Sequence, residues 1–213
     1  AQTYKDIEVI RIDDTGTGPA MARNRGLLKA TGELIAFCDA DDYLAPRAIE
    51  QLVDAIEGVD MACGSFRKFG TFEQTVKHSN AKLVALEVAS YVMNNMRDPR
   101  NHQMLSGCWA KMYRRSMIGR FPDITTAEDM AFNYDYLTRC DLVRFISDVV
   151  YNNRKHAESL TNKFDPTNKR GLFGFLEGMK YVKRFLQRFY GDDEIEDALD
   201  NSKVYHVMLY AQR

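Results

Sequence analysis

Three of the four residues in Asp39-Ala40-Asp41-Asp42 are carboxylates, and they follow directly on an apolar run, Leu34-Ile35-Ala36-Phe37-Cys38. Like charges held this close repel one another, and a counter-cation is the usual remedy. A hard divalent ion such as Mg2+ or Mn2+ takes carboxylate oxygens and completes its shell with water or phosphate. On an extended strand end, side chains at i and i+2 point the same way, which predicts that Asp39 and Asp41 converge on one ion. An ion held there would act as a Lewis acid on a departing diphosphate. The plain alternative is an acidic loop in which Asp42 serves a nearby helix terminus. Two aspartates one residue apart are a short and common pattern; their place at the end of a wholly apolar strand is what favours a site.

Other residues carry chemistry with less local support. Glu128-Asp129 opens a helical segment, where a carboxylate pair is by default a dipole-favourable first turn. Arg23 follows the breaks at Gly16, Gly18 and Pro19, a position that points a cation towards anions. A single tryptophan, Trp109, reads first as core packing and second as a platform for a sugar. The four cysteines, Cys38, Cys63, Cys108 and Cys140, show neither zinc spacing nor a disulfide framework. Each is expected to be a small buried thiol in a reducing cytoplasm.

The elements that must position these residues can be traced along the chain. Ile7 to Ile12 is a β-prone run, and a helix is expected from about Ala20 to Ala30, stopped by Gly32. Leu34 to Cys38 has the length and apolarity of a central strand covered on both faces. Pro46 stands near the start of the next helix, where Ile49, Leu52, Val53 and Ile56 form one buried face. Met61 to Phe66 is a strand, Leu86 to Met96 a helix, Ala127 to Leu137 a helix and Leu142 to Tyr151 a strand. Beyond Pro166, apolar residues at helical spacing predict two amphipathic helices split at Gly191-Asp192. This alternation is that of an α/β layered sheet, whose ligands bind outside the carboxyl ends of the strands.

Bulk properties agree. The 213 residues are 45% hydrophobic and 28% charged, with a formal net charge of −1, which excludes a global basic field for nucleic acid. No apolar run approaches the length of a membrane span.

Taken together, Ala22-Arg23-Asn24-Arg25-Gly26-Leu27, Ala30-Thr31-Gly32-Glu33-Leu34-Ile35-Ala36-Phe37 and Asp39-Ala40-Asp41-Asp42 closely resemble the core of the family 2 glycosyltransferases, in order and in spacing. Tyr4 to Ile10 is similar to the family's second strand. Trp109-Ala110-Lys111-Met112-Tyr113-Arg114-Arg115, Ala127-Glu128-Asp129-Met130-Ala131-Phe132 and Arg154-Lys155-His156-Ala157-Glu158-Ser159 resemble three further family segments. The resemblance runs from about Gln2 to Leu160. It implies a GT-A fold: a mixed, mainly parallel sheet flanked by helices, here over residues 1–160, with a C-terminal helical appendage over residues 161–213. It also implies a nucleotide-diphospho-sugar donor (a UDP-sugar by family habit), Mn2+ or Mg2+, inversion at the anomeric carbon, and a glycan or glycolipid acceptor.

Carried over by position, Asp129 is the base that deprotonates the acceptor hydroxyl, with Glu128 beside it. Asp39 and Asp41 serve metal and donor, and His156 reaches the metal or the diphosphate. Arg23, Arg154 and Ser159 help to hold the donor, and Trp109 and Lys111 lie on the acceptor side. Asp14, with Asp13, matches a uracil-contacting aspartate on one reading and belongs to the turn leading to Gly16 on the other. The C-terminal helices would pack as an appendage or dock on the inner membrane face or a second protomer. The chemistry agrees with these types: an inverting transfer needs one base opposite the leaving group, and a carboxylate suffices.

The sequence departs from the family in one region. Ile7-Glu8-Val9-Ile10 runs almost directly into Asp14-Thr15-Gly16-Thr17-Gly18, where the family has a helix and a third strand, and the family's first strand has no counterpart. The expectation is a string joined across an absent segment between about Glu8 and Gly18; the alternative is a truncated, inactive relative that binds a nucleotide-sugar. A metal-dependent nucleotidyltransferase or phosphohydrolase would also use paired aspartates, but it leaves Glu128-Asp129 and the string at Ala22-Leu27 unexplained.

Overall fold

The structure is a computed structural model that describes residues 1–12, 16–99, 105–124, 126–155 and 169–211. Its centre is the parallel pair β3 (Met61–Gly70) and β7 (Leu142–Lys155), the longest ladder of the sheet. β6 (Lys111–Arg114) runs antiparallel on the other side of β3, and β1 (Leu34–Ile35) closes that edge on β6. The outer edge of β7 is shared between β5 (Ala81–Val84) on its first half and β2 (Tyr43–Leu44) near its end, while β4 (Gln74–Val76) folds back on β3.

The period-2 alternation of the strands sends side chains into two cores. Ala62 and Phe66 of β3, Met112 of β6 and Val150 of β7 join Ala48, Leu52, Ala55 and Ile56 of α2 (Ala48–Ile56) on one face. Met61, Cys63, Tyr113, Val143 and Phe145 face the other way, towards α3 (Ala85–Arg97) and α4 (Glu128–Leu137). α5 (Lys169–Leu186) and α6 (Asp192–Ala211) enter this second core with Phe175, Met179, Val182, Phe185, Ile195 and Leu199. α5 and the first part of α6 therefore bury apolar side chains in the same core as the sheet, while Val204, Val207 and Met208 further along α6 are exposed. Among the described residues no helix is long and apolar enough to cross a membrane.

The expected mixed α/β architecture is found, and all the expected helices form within a residue or two of their anticipated ends, α1 spanning Pro19–Lys29. Four details are corrected. Parallel pairing is in the minority, because five of the six ladders between the strands are antiparallel. Ile7 to Ile12 forms no strand and leaves Val9 84% exposed, since no neighbouring strand pairs with it. Leu34 to Cys38 is an edge rather than a central strand; only two residues enter the ladder, with Phe37 adding a single bridge to Trp109. Cys38 at its end is exposed, whereas the other three cysteines are buried as expected. The short strands β2, β4 and β5 carry no apolar run and went unanticipated. Asp13 to Thr15 lie outside the described residues, and with them part of the expected interruption between Glu8 and Gly18.

Candidate active site

The site is assembled by α1. Asn24 is buried and behaves like a strand partner for Phe121, donating from Nδ2 to its carbonyl and accepting from its N–H, both at 2.9 Å. With Asn24 fixed, the adjacent Arg23 reaches across the sheet. Its Nη2 donates to Asp39 at 2.8 Å, and its Nη1 donates to Glu128 at 3.0 Å and to Asp129 at 2.5 Å. The guanidinium also lies over the Phe121 ring, 5.4 Å from its centroid. Arg23 was expected to face a donor anion; here it joins the acidic turn to the carboxylate pair, whose sequence separation from it exceeds a hundred residues.

One cation among three carboxylates leaves a formal excess of two negative charges around the guanidinium. Burial works against the Arg23 charge, but Asp129 and Asp39 more than compensate and hold it above its ordinary range. Burial also pushes the Asp129 carboxyl up to about 6, against the lowering pull of Arg23. The Cys108 N–H, 3.4 Å from Oδ2, is a further donor to Asp129. Glu128 and Asp129 occupy the first turn of α4, as the dipole favours, but the residue before them, Ala127, is left-handed with φ +63°.

The acidic turn is held from the other side. The Asp42 N–H donates to the Asp39 carbonyl at 3.1 Å, so Asp39 to Asp42 is a closed turn. This corrects the extended-strand argument for Asp39 and Asp41, because side chains in a turn do not follow the pleat. Asp39 remains on Arg23, and Asp41 is exposed on the turn. Among the described residues no three His, Cys, Asp or Glu side chains form a ready cluster for a metal.

Asp42, to which the sequence assigns no ligand, has a structural task. Its carboxylate accepts from Tyr151 Oη (2.8 Å), Asn153 Nδ2 (2.8 Å) and the Arg154 N–H (2.6 Å), tying the turn to the end of β7. Tyr151 Oη also accepts the Asp39 N–H at 3.0 Å. Trp109 is half-buried, stacked on Tyr151 at 5.0 Å and edge-on to Phe66 at 4.6 Å.

Arg154 lies beside the turn through its main chain, while its guanidinium sits over Phe69. Lys111, expected on the acceptor side, is 4% exposed and directs its ammonium to the carbonyls of Gly107 (2.6 Å) and Trp109 (3.4 Å). Its ammonium faces the main chain of that loop rather than open solvent. Asp14, His156 and Ser159 lie outside the described residues. Asn24 and Tyr151 were not singled out; for Asn24 the signal was present, since it stands inside the string Ala22-Leu27.

The site thus joins an acidic turn to a carboxylate pair across a mixed α/β sheet. The family model for glycosyl transferase family 2 matches residues 1–121, more than half of the chain, and the chain belongs to that family. EpsJ of Bacillus subtilis, an uncharacterized glycosyltransferase, is 24% identical over 168 residues, covering 74% of this chain and 48% of that protein. EpsH of the same organism, a putative glycosyltransferase, is 26% identical over 170 residues, covering 74% of this chain and 47% of that protein. The chain thus spans about half the length of these relatives. The crystal structure of S. aureus TarS 1–349 in complex with UDP-GlcNAc superposes with a TM-score of 0.65 at 18% identity, over 92% of this chain and 54% of that one. The shared fold is the GT-A fold.

Proposed function

We propose that the protein transfers a sugar from a nucleotide-diphospho-sugar, a UDP-sugar, to a hydroxyl of a glycan or glycolipid, with inversion. The observation that carries this reading is the Arg23 bridge, which makes the acidic turn and Glu128-Asp129 one site rather than two. The excess negative charge and the all-oxygen donor set of Asp39 and Asp41 fit Mn2+ or Mg2+. His156 is assigned to the same ion by resemblance alone. When bound, the ion would neutralise charge on the leaving diphosphate.

The chain's own residues do the rest. Asp129 accepts the proton of the acceptor hydroxyl, and its pKa near 6 keeps it ionised at neutral pH while leaving it basic enough for the task. Glu128 shares the guanidinium with it and keeps the local charge negative. Arg23 orients the base and is a cation already within reach of the Asp39 end of the site, where anionic charge develops. Asp42 and Tyr151 fix the turn, and Trp109 offers an aromatic wall on the acceptor side. The inner membrane face is the expected location of a glycolipid acceptor.

The test is a thermal-shift screen of the whole chain with UDP-, GDP- and CDP-sugars, with and without Mn2+. UDP-sugars with Mn2+ should raise the melting temperature; stabilisation by no nucleotide in the presence of metal removes the transferase reading. Asp129→Asn should retain nucleotide binding and lose transfer, by about 10²-fold or more if a general base is removed. Retained transfer takes the base role away from Asp129.

A further inference from the structure

Lys111 places an ammonium in the interior of the sheet, which costs several kcal/mol unless its donors are satisfied. Burial draws its pKa down, with Cys63, Cys108 and Asp129 working the other way. What it holds is main chain, not a carboxylate: the carbonyls of Gly107 and Trp109. Two more buried side chains grip the same loop. Asn133 donates from Nδ2 to the carbonyls of Leu105 at 2.7 Å and Gly107 at 2.9 Å. The Tyr113 hydroxyl lies 3.0 Å from the Cys108 carbonyl and 2.7 Å from Asn133 Oδ1. Four of the five carbonyls from Leu105 to Trp109 are therefore anchored from within the core.

The opposite edge of the loop faces the site. The Cys108 N–H points at Asp129, and the Trp109 indole stacks on Tyr151, whose hydroxyl touches both Asp39 and Asp42. The loop is also tightly fitted. A Cβ on Gly107 would lie 2.5 Å from Trp109 Cε2, and the next residue after the indole, Ala110, is left-handed with φ +56°. A non-glycine residue is strained in that region, so the conformation persists only because its surroundings impose it.

We infer that Lys111 is a positioning residue for the transfer reaction. From inside the core it sets the loop so that the Cys108 N–H meets Asp129 and the Trp109 indole meets Tyr151, which registers the base against the acidic turn. The kinetic part of this inference rests on Asp129 being the base; the structural part does not.

Trp109 is the single tryptophan of the chain, so emission excited selectively from tryptophan reports on this loop. In the 213-residue chain, Lys111→Met should show red-shifted emission and greater quenching by iodide, and Lys111→Arg should return both towards wild type. With UDP-N-acetylglucosamine and Mn2+ as probe, UDP release by Lys111→Met should fall about 10- to 100-fold, as for a catalytic group misplaced by an ångström. Its calorimetric Kd for UDP should stay within about twofold of wild type, a shift well under 1 kcal/mol. Wild-type emission in Lys111→Met overturns the inference, as does a displaced loop with unchanged turnover. If Lys111→Met does not fold, Lys111→Gln is read by the same criteria. A wild-type chain that neither binds UDP nor releases it from the probe refutes the donor reading instead, and the fluorescence comparison still decides whether Lys111 holds the loop.

Discussion

Arg23 holds three carboxylates together and opposes the rise in the Asp129 pKa. Removing it leaves Asp39, Glu128 and Asp129, with side-chain exposures of 31%, 13% and 19%, facing one another without a shared cation. Breaking a buried ion pair from one side costs about 3–5 kcal/mol, and the partial exposure here brings the expected loss for Arg23→Met to about 1–3 kcal/mol. The pH dependence follows from the sign of the shifts. Asp129 must be ionised to act as a base, and its carboxyl is raised to about 6, so turnover should fall as pH drops through that value. Arg23 lowers that pKa, so Arg23→Met should move the acid limb to higher pH. A pH–rate profile of UDP release measures both, and a limb that stays in place argues that Asp129 is not the titrating base. Asp39, Arg23, Glu128 and Asp129 were legible because each lies in a contiguous string with its neighbours. The partners of Asp42 were not, since Tyr151, Asn153 and Arg154 come from a strand more than a hundred residues away. Local spacing cannot encode that meeting.

At the scale of elements, the helices and the two long central strands were readable and the short strands were not, for a physical reason. The buried stripe of α2 is specified by its own residues, whereas a strand exists only where a partner supplies hydrogen bonds. Ile7 to Ile12 has strand composition and no partner; β2 has a partner and no strand composition. The same dependence on neighbours appears at the start of α4. Thr126 Oγ1 donates to the Gly171 carbonyl of α5 at 2.7 Å, and Gly174 and Gly178 of α5 bring that helix against Thr126, Ala127 and Met130. A Cβ on Gly174 would meet the Thr126 main chain at 2.8 Å. A larger residue there must push α5 away from the turn that carries Glu128 and Asp129. Gly174→Leu should destabilise the chain by about 1–3 kcal/mol, the usual cost of overpacking. It should also lower the rate of UDP release while UDP binding is retained. An unchanged rate in a folded Gly174→Leu variant would show that α5 does not support the carboxylate pair.

For the whole molecule, the parallel pair β3 and β7 separates two cores, and the second of these cannot be completed by residues before Asn168. The resemblance sets a boundary at residue 160, and beyond Pro166 the pattern changes from alternating strands and helices to two amphipathic helices. Pattern alone does not say what an amphipathic face covers. Here Phe175, Met179, Val182 and Phe185 cover α3 and α4, and Ile195, Ala198 and Leu199 seal the far side. Each large apolar side chain so buried contributes roughly 1.5–3 kcal/mol, and a domain's net stability is only about 5–15 kcal/mol. Losing both helices would therefore exceed any plausible reserve and expose Tyr134, Met93 and Val92 of the helices they cover. A chain ending at Asn168 should lack a cooperative thermal transition and bind no UDP, although every residue of the candidate site is still present. Calorimetry and UDP titration of that truncation, beside the full chain, test this. A truncation that melts cooperatively and binds UDP as tightly as the full chain would make residues 169–213 a separable appendage after all.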